Sequence, residues 1–315
     1  MTVAPPRVFV IGEALIDIVH RATGEIDEAP GGSPANTALA LGRLGRRPTL
    51  VTRLADDDRG RRVRRWLEDS DVEVVAIDAV RTATATAHLD TSGAASYEFD
   101  LDWDLDGDIA QLAGRIVGTA DLVHVGSVAA VIEPGAARIA ELVRAARRGA
   151  IVTYDPNIRP ALVDDPARVR RRVDGLVDLA DVVKASDEDM RWLRPGSDPV
   201  DVAREWVARG PALVVVTLGS DGAVGVTADS EVAVPAFTTD VVDTVGAGDT
   251  FMGALVDGLL VGGAAGPVGA ARGSDFGTAE VEALLRRCAL AAAITVSRPG
   301  ADPPRRDELA AVRTA

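Results

Sequence analysis

Residues 121–154 read DLVHVGSVAAVIEPGAARIAELVRAARRGAIVTY. The Val-rich runs Asp121 to Val125 and Ala150 to Tyr154 have the composition of buried strands, and Pro134 to Arg148 between them spaces its apolar residues as an amphipathic helix does. Strand, helix and strand on this scale predict a right-handed crossover between two parallel neighbours. The alternation continues both ways along the chain. Further strands are predicted at Arg7 to Gly12, Thr49 to Thr52, Asp181 to Lys184 and Leu213 to Thr217, with helices at Ser33 to Leu44, Arg59 to Ser70, Asp201 to Arg209 and Thr250 to Leu260. The fold class expected is α/β: a doubly wound, mostly parallel sheet flanked by helices on both faces.

Two stretches break this rhythm. Ala14 to His20 continues the first strand with alternation, and Thr82 to Leu101 reads as two strands joined at a Thr91-Ser92-Gly93 turn. Neither piece is stable alone, so together they predict a small β-sheet that projects as a lid beside a cleft. On this reading residues 13–30 and 81–105 form the lid, and residues 1–12, 31–80 and 106–315 the main domain. Gly262 to Gly273 reads as a surface loop.

Composition excludes several classes. Thirty-four basic residues against 48 acidic ones give a net charge of −14, which argues against nucleic acid or an anionic membrane as partner. Hydrophobic residues are 47% of the chain but aromatic ones only 3%, so the core is aliphatic. The single cysteine, Cys288, excludes an intrachain disulfide and a thiolate zinc cluster. No apolar run reaches the ~18 residues of a membrane span. The expectation is a cytoplasmic protein. His20, His88 and His124 lie in predicted strands without ligand spacing, which favours packing over metal binding. Asp102-Trp103-Asp104-Leu105-Asp106-Gly107 imitates the start of a calcium loop, but Ala113 stands where the bidentate Glu should be. The segment then reads as an acidic connection, with Trp103 or Phe99 near the substrate. Neither a P-loop nor a Rossmann glycine pattern is present.

The chemistry concentrates in Asp243-Thr244-Val245-Gly246-Ala247-Gly248-Asp249-Thr250-Phe251. Small residues at a helix N-terminus leave backbone N–H groups open to an oxyanion. Asp249 lies in the first turn, where an acid caps the helix or, beside such an anion hole, takes the proton of an attacking hydroxyl during phosphoryl transfer. Gly31-Gly32-Ser33-Pro34-Ala35-Asn36 is a second glycine cluster opening a helix; it permits close backbone approach, and Asn36 offers both a donor and an acceptor.

These two blocks, GGSPANTALALGRLG at Gly31 to Gly45 and DTVGAGDTF at Asp243 to Phe251, resemble in content, order and separation the two signatures of the ribokinase-like (PfkB) carbohydrate kinases. Gly12-Glu13-Ala14-Leu15-Ile16-Asp17, Thr217-Leu218-Gly219-Ser220-Asp221-Gly222 and Ser297-Arg298-Pro299-Gly300-Ala301 extend the likeness from about Arg7 to Ala301. The resemblance implies that Asp249 is the general base and that the amides of Gly246, Ala247 and Gly248 form the anion hole. It gives Asp17, Gly31, Gly32 and Asn36 to the sugar, and Thr217, Gly219 and Gly222 to the nucleotide. Asp243 and the Val245 carbonyl would meet a monovalent cation such as K+, although Asp243 caps the loop equally well.

Where the family often has Asn-x-x-Glu, this chain has Ser186-Asp187-Glu188-Asp189, so Ser186 and Asp189 are shorter substitutes for organising phosphate and, through water, Mg²⁺. Lys184 completes a Lys-x-Ser pattern of fructokinase-like members; a strand-end lysine facing solvent is the alternative. Asp155-Pro156-Asn157-Ile158-Arg159-Pro160 resembles a fructokinase segment, is also near that of 2-keto-3-deoxygluconate kinases, and assigns Arg159 to substrate or phosphate. Ala289 replaces an Asn near the adenine pocket of some ribokinases. Transfer of the γ-phosphoryl group of Mg·ATP to fructose is thus implied, with 2-keto-3-deoxygluconate, ribose or a nucleoside as alternative acceptors and a non-enzymatic sugar or nucleotide sensor as the competing class. A homodimer through the exposed lid sheet is the expected assembly. Lys184 is the only lysine among the basic residues, and Asn36 and Asn157 are the only asparagines. All three fall in these blocks.

Overall fold

The structure, a computed structural model, describes residues 5–89, 95–105, 109–261 and 276–311. The Thr91-Ser92-Gly93 turn and the Gly262 to Gly273 loop lie outside these residues. In chain order the strands are β1 Val8–Ile11, β2 Leu15–His20, β3 Ile26–Gly31, β4 Thr49–Leu54, β5 Glu73–Asp78, β6 Thr84–Leu89, β7 Ala95–Asp100, β8 Leu122–Gly126, β9 Ile151–Asp155, β10 Val182–Ser186, β11 Leu213–Thr217, β12 Ala223–Val226 and β13 Glu231–Val234. Nine of them form one sheet in the order β13-β12-β11-β10-β9-β8-β1-β4-β5. It is parallel from β11 to β5, and β12 and β13 add an antiparallel edge.

Strand alternation divides the core between the two faces. Val8 and Val10 point to one face, Phe9 and Ile11 to the other, and all four are buried. The first face carries α1 Ser33–Arg43, α2 Asp58–Glu68, α8 Ala247–Val261 and the C-terminal helix Thr278–Val296. The opposite face carries α3 Ile109–Ile116, α4 Gly135–Ala146, α5 Pro166–Val177, α6 Asp187–Leu193 and α7 Pro199–Val207. Burial from both sides explains why the inner strands read as continuous Val and Ile runs. No described helix is long and apolar enough to cross a membrane.

Four strands form a second sheet, ordered β3-β2-β6-β7. Ala14 to His20 therefore does not prolong the first strand. The chain leaves the main sheet at Gly12, whose amide donates to the Val51 carbonyl at 3.1 Å, and β2 begins three residues later in the other sheet. β3 was not expected from its polar IDEAPG sequence; as an edge strand paired only with β2 it tolerates Pro30. Trp103 also departs from expectation. It is buried in the core against Gly135 at the start of α4 rather than lying open to a substrate.

α1 and α8 approach closely because Gly253 has no side chain: a Cβ there would lie 2.7 Å from Ala40 Cβ and 3.2 Å from the Thr37 carbonyl. At their far ends Arg46 Nε donates to Asp257 Oδ1 at 2.6 Å, and Arg287 and Arg306 reach the same fully buried carboxylate at 2.5 and 3.1 Å. Gly253→Val is expected to lower unfolding free energy by about 1–3 kcal/mol, as overpacking a close contact does. A urea titration with an unchanged midpoint would refute this account of the contact.

Candidate active site

The carboxyl ends of the parallel strands line one edge of the main sheet, where open α/β sheets place ligands. Register sets Ser186 beside Thr217, and Gly126 beside Asp155. β9 and β10 pair Thr153 with Val182 and Tyr154 with Val183, so the next rung brings Asp155 to Lys184. Lys184 Nζ donates to Asp155 Oδ2 at 3.0 Å, and both side chains are buried. The lysine does not face solvent. Its ammonium lies against the start of α8, since a Cβ on Gly248 would be 3.1 Å from Nζ. Burial works against that charge, yet Asp155, Asp189 and Asp249 together hold the ammonium above the ordinary lysine value. Asp155 is pushed up to about 6 by burial, with Lys184 pulling the other way. Its Oδ1 is buried and has no hydrogen-bond partner.

Asp249 occupies the first turn of α8 and is 7% exposed. Ser33 Oγ donates to its Oδ1 at 2.6 Å and Asn36 Nδ2 to its Oδ2 at 2.8 Å. Both donors come from the first turn of α1, so the contact of α1 with α8 sets the direction of the carboxylate. Asn36 keeps its Oδ1 buried and unpartnered, an acceptor available for an incoming hydroxyl. Ser33 was not singled out in the sequence, where a serine opening a helix resembles a simple cap. At the head of α8, the Ala247 amide donates to the Thr244 carbonyl at 3.3 Å. It is thus engaged in a turn, while a helix start supplies no internal acceptor for the amides of Gly248 and Asp249. Gly246 adopts φ 75° against Ala301, which brings the loop round to Asn36.

Asp17 stands on β2 beside Gly31, where any Cβ would overlap its carboxylate. Gly32, with φ 102°, packs against the Glu13 carbonyl. Burial pushes the Asp17 carboxyl up to about 6; the Arg159 guanidinium opposes the shift and Asp249 adds to it. Asp17, Arg159 and Asp249 therefore share one electrostatic neighbourhood, although they come from different parts of the chain. Arg159 is oriented by Asn157, whose Oδ1 accepts from Nη1 at 2.6 Å and whose own φ is 37°.

Asp189 is held by the backbone around it. Its Oδ1 accepts from the Ile158 amide at 2.7 Å and its Oδ2 from the Ser186 amide and hydroxyl at 2.9 and 2.7 Å. With Ser186 it forms the capping box of α6, and it also pins the Asp155 to Arg159 segment. Asp243 is likewise occupied: Oδ1 accepts from the Val245 amide at 3.0 Å and Oδ2 from the Gly300 amide at 2.9 Å, which staples the loop before α8 to the end of the chain. Further along the edge, Thr217 ends β11, and Gly219 follows at φ 56° with open space where a Cβ would be. Gly222, at φ 98°, has no such space and packs against the backbone of residues 234–236. Ala289 is buried in the C-terminal helix. His124 is also buried, held by Thr153 at 3.0 Å; burial pushes its pKa down to about 3, so it stays neutral. Among the described residues no group of three His, Cys, Asp or Glu side chains could hold a metal.

A model of the pfkB family carbohydrate kinases matches residues 5–308. The sequence is 36% identical over 263 residues to a fructokinase from Rhizobium leguminosarum bv. trifolii, spanning 79% of this chain and 78% of that protein. The fold is similar to fructokinase with bound ATP from Xylella fastidiosa, with a TM-score of 0.85 and 27% identity over 98% of this chain and 99% of that one. It is also similar to a double mutant of fructokinase from Vibrio cholerae O395 in its fructose, ADP and potassium ion bound form, with a TM-score of 0.82 and 26% identity over 99% of each chain.

Because its folded value lies above the ordinary 3.8, Asp17 contributes stability that is complete below that pH and is lost as the pH rises through about 6. Asp17→Asn should flatten the corresponding slope of melting temperature against pH. Equal slopes for the two proteins would mean that Asp17 does not take up the proton.

Proposed function

The chain belongs to the pfkB family of carbohydrate kinases, and we propose that it transfers the γ-phosphoryl group of Mg·ATP to a primary hydroxyl of fructose. The observation that carries the reading is the Asp249 carboxylate, aimed by Ser33 and Asn36 and lying at the head of α8 beside Lys184. A sugar hydroxyl placed at Asp249 gives its proton to the carboxylate as the bond from oxygen to the γ-phosphorus forms. The bond from that phosphorus to the bridging oxygen breaks in the same step, and ADP leaves with the electron pair. The Lys184 ammonium and the amides of Gly246, Ala247 and Gly248 face the phosphoryl oxygens and stabilise their charge. The Ala247 amide is already engaged with the Thr244 carbonyl, so it contributes least of the three.

Fructose as the acceptor is supported by the similarity to named fructokinases and by Asp17, Asn36 and Arg159 offering carboxylate, amide and guanidinium to hydroxyls around one position. Gly31 and Gly32 let the sugar lie against bare backbone. Thr217, Gly219 and Gly222 form the nucleotide side, where the open left-handed Gly219 admits close approach.

Magnesium fits the orphaned Asp155 Oδ1, a buried carboxylate oxygen of the kind this hard cation takes alongside water and phosphate. When bound it would supply charge neutralisation on the phosphates; Asp155 would hold it, with Ser186 and Asp189 keeping the surrounding backbone in place. For potassium, the support is the resemblance of the Asp243 and Val245 loop and the potassium ion bound form of the Vibrio cholerae relative. The second sheet serves as the lid that excludes water, and pairing of two such sheets would make a homodimer.

ADP release measured with fructose, ribose, 2-keto-3-deoxygluconate and a nucleoside tests the acceptor. Fructose should give the highest kcat/KM. ADP release with none of them, despite sugar binding, would favour a sensor. Asp249→Asn should retain the fold and lower kcat by about 10²–10⁴-fold, the range for removing a general base. Ser33→Ala, which leaves only Asn36 to aim the carboxylate, should cost about tenfold in kcat. Unchanged turnover in Asp249→Asn would remove it from the chemistry.

A further inference from the structure

Glu13 is buried at 6% exposure, and the mechanism above gives it no part. It sits at the point where the chain first leaves the main sheet, between β1 and β2. The chain passes between the two sheets four times, and the other three passages all come close to this residue. Gly32, on the return from β3 to α1, packs against the Glu13 carbonyl, at 2.7 Å from where its Cβ would be. Ala83, just before β6, and Leu101, just after β7, line the same small cavity as Glu13. Ala83 also accepts from the Ile16 amide at 3.0 Å, at the start of the strand that carries Asp17.

The side chain reaches away from these passages to the loop after β8. Glu13 Oε2 accepts from the Ala129 amide at 3.1 Å, two residues after Ser127, whose side chain lies beside the carboxylate. Ser127 has φ 56° and ψ −152°, a backbone region that is essentially reserved for glycine. Something must hold it there. Its amide donates to the Asp155 carbonyl at 2.9 Å, and two residues on the Ala129 amide is held by Glu13. Burial pushes the Glu13 carboxyl up to about 7, opposed by the Ser127 hydroxyl, its own amide, the Ala129 amide and the Arg159 charge. A carboxyl group is costly at such a site, and an apolar side chain would fill it without that cost.

We infer that Glu13 is a positioning residue for sugar binding: through the Ala129 amide it holds the loop that carries the strained Ser127, and thereby fixes the passage from which the Asp17 strand springs to the loop after β8. The inference rests on the sugar site proposed above. The partners of Glu13 lie in the passages between the sheets and in the loop after β8, so its loss is expected to act on the sugar and leave the nucleotide alone. The strained conformation also supplies a test, because glycine adopts it freely. In Glu13→Ala only backbone bonds such as that to the Asp155 carbonyl still hold Ser127, and the loop relaxes. In the double variant Glu13→Ala/Ser127→Gly the conformation no longer needs a clamp.

Steady-state kinetics of the full chain would be measured with varied sugar and, separately, varied ATP. Wild-type turnover of one sugar of the panel is the first requirement; if none turns over, the proposed function fails, independently of Glu13. Given turnover, Glu13→Ala should raise the sugar KM by about tenfold, the population cost of freeing one such strained residue. The ATP KM and kcat should stay within about threefold. Glu13→Gln, which keeps an acceptor for Ala129, should lie between wild type and Ala. The double variant should recover most of the sugar KM. Equal changes in both KM values, or no recovery on adding Ser127→Gly, would reduce Glu13 to a buried structural residue and overturn the inference. If Glu13→Ala fails to fold, the double variant and Glu13→Gln decide the matter by the same two readouts.

Discussion

The contact between α1 and α8 is the constraint on which the site depends. Two helices that meet at Gly253 are close enough for side chains on the first turn of one to reach the first turn of the other. Ser33 and Asn36 then hold Asp249 from one side, while the Thr37 hydroxyl approaches its main-chain carbonyl at 3.5 Å. Eight residues along α8, Asp257 meets Arg46 from the chain just after α1. A helix rising about 1.5 Å per residue makes these two fixings about 12 Å apart. Two separated fixings resist rotation of one helix over the other, which a single contact would allow. Thr295, which donates to Thr250 at 3.0 Å, ties the C-terminal helix to the same turn.

A second constraint comes from the sheet. Parallel register carries Asp155 and Lys184 to the same rung, and burial makes their pairing obligatory. The same rung order brings Ser186, Thr217 and Gly126 to one edge. The polar residues of the edge thus owe their proximity to backbone pairing rather than to one another. Their charges are compensated within the cleft: one ammonium sits among three carboxylates, in a protein whose net charge is −14. Against that net charge, the positive groups of the cleft are local ones: Lys184, Arg159 and the amides at the head of α8.

The inner strands and their helices were legible because burial on both faces leaves an unbroken aliphatic run. The edges were not. β3 is polar and contains Pro30, and β12 and β13 are four-residue strands with little periodicity to read. The two glycine blocks, which the structure brings together at Asp249, stood out because their backbone demands are written in the residue types themselves. What escaped was whatever depends on long-range partners. Nothing local in Ser33 indicates a carboxylate 216 positions away, and nothing in Glu13 reports Ser127 or the converging passages. Asp189 was read as facing a ligand and Asp243 as facing a cation or capping its loop; that their oxygens accept from the amides of Ile158, Ser186, Val245 and Gly300 was not legible. Trp103 looked available beside an acidic connection because sequence proximity does not reveal that Gly135 waits beneath it.

Burial of Lys184 has a consequence for reagents as well as for phosphate. It is the only lysine in the sequence and only 4% exposed. Acylating agents, imidoesters and amine cross-linkers therefore find no lysine side chain on the folded surface. Any lysine acylation of this protein reports an opening of the cleft beside Gly248, which makes the residue a built-in probe of access to that cleft.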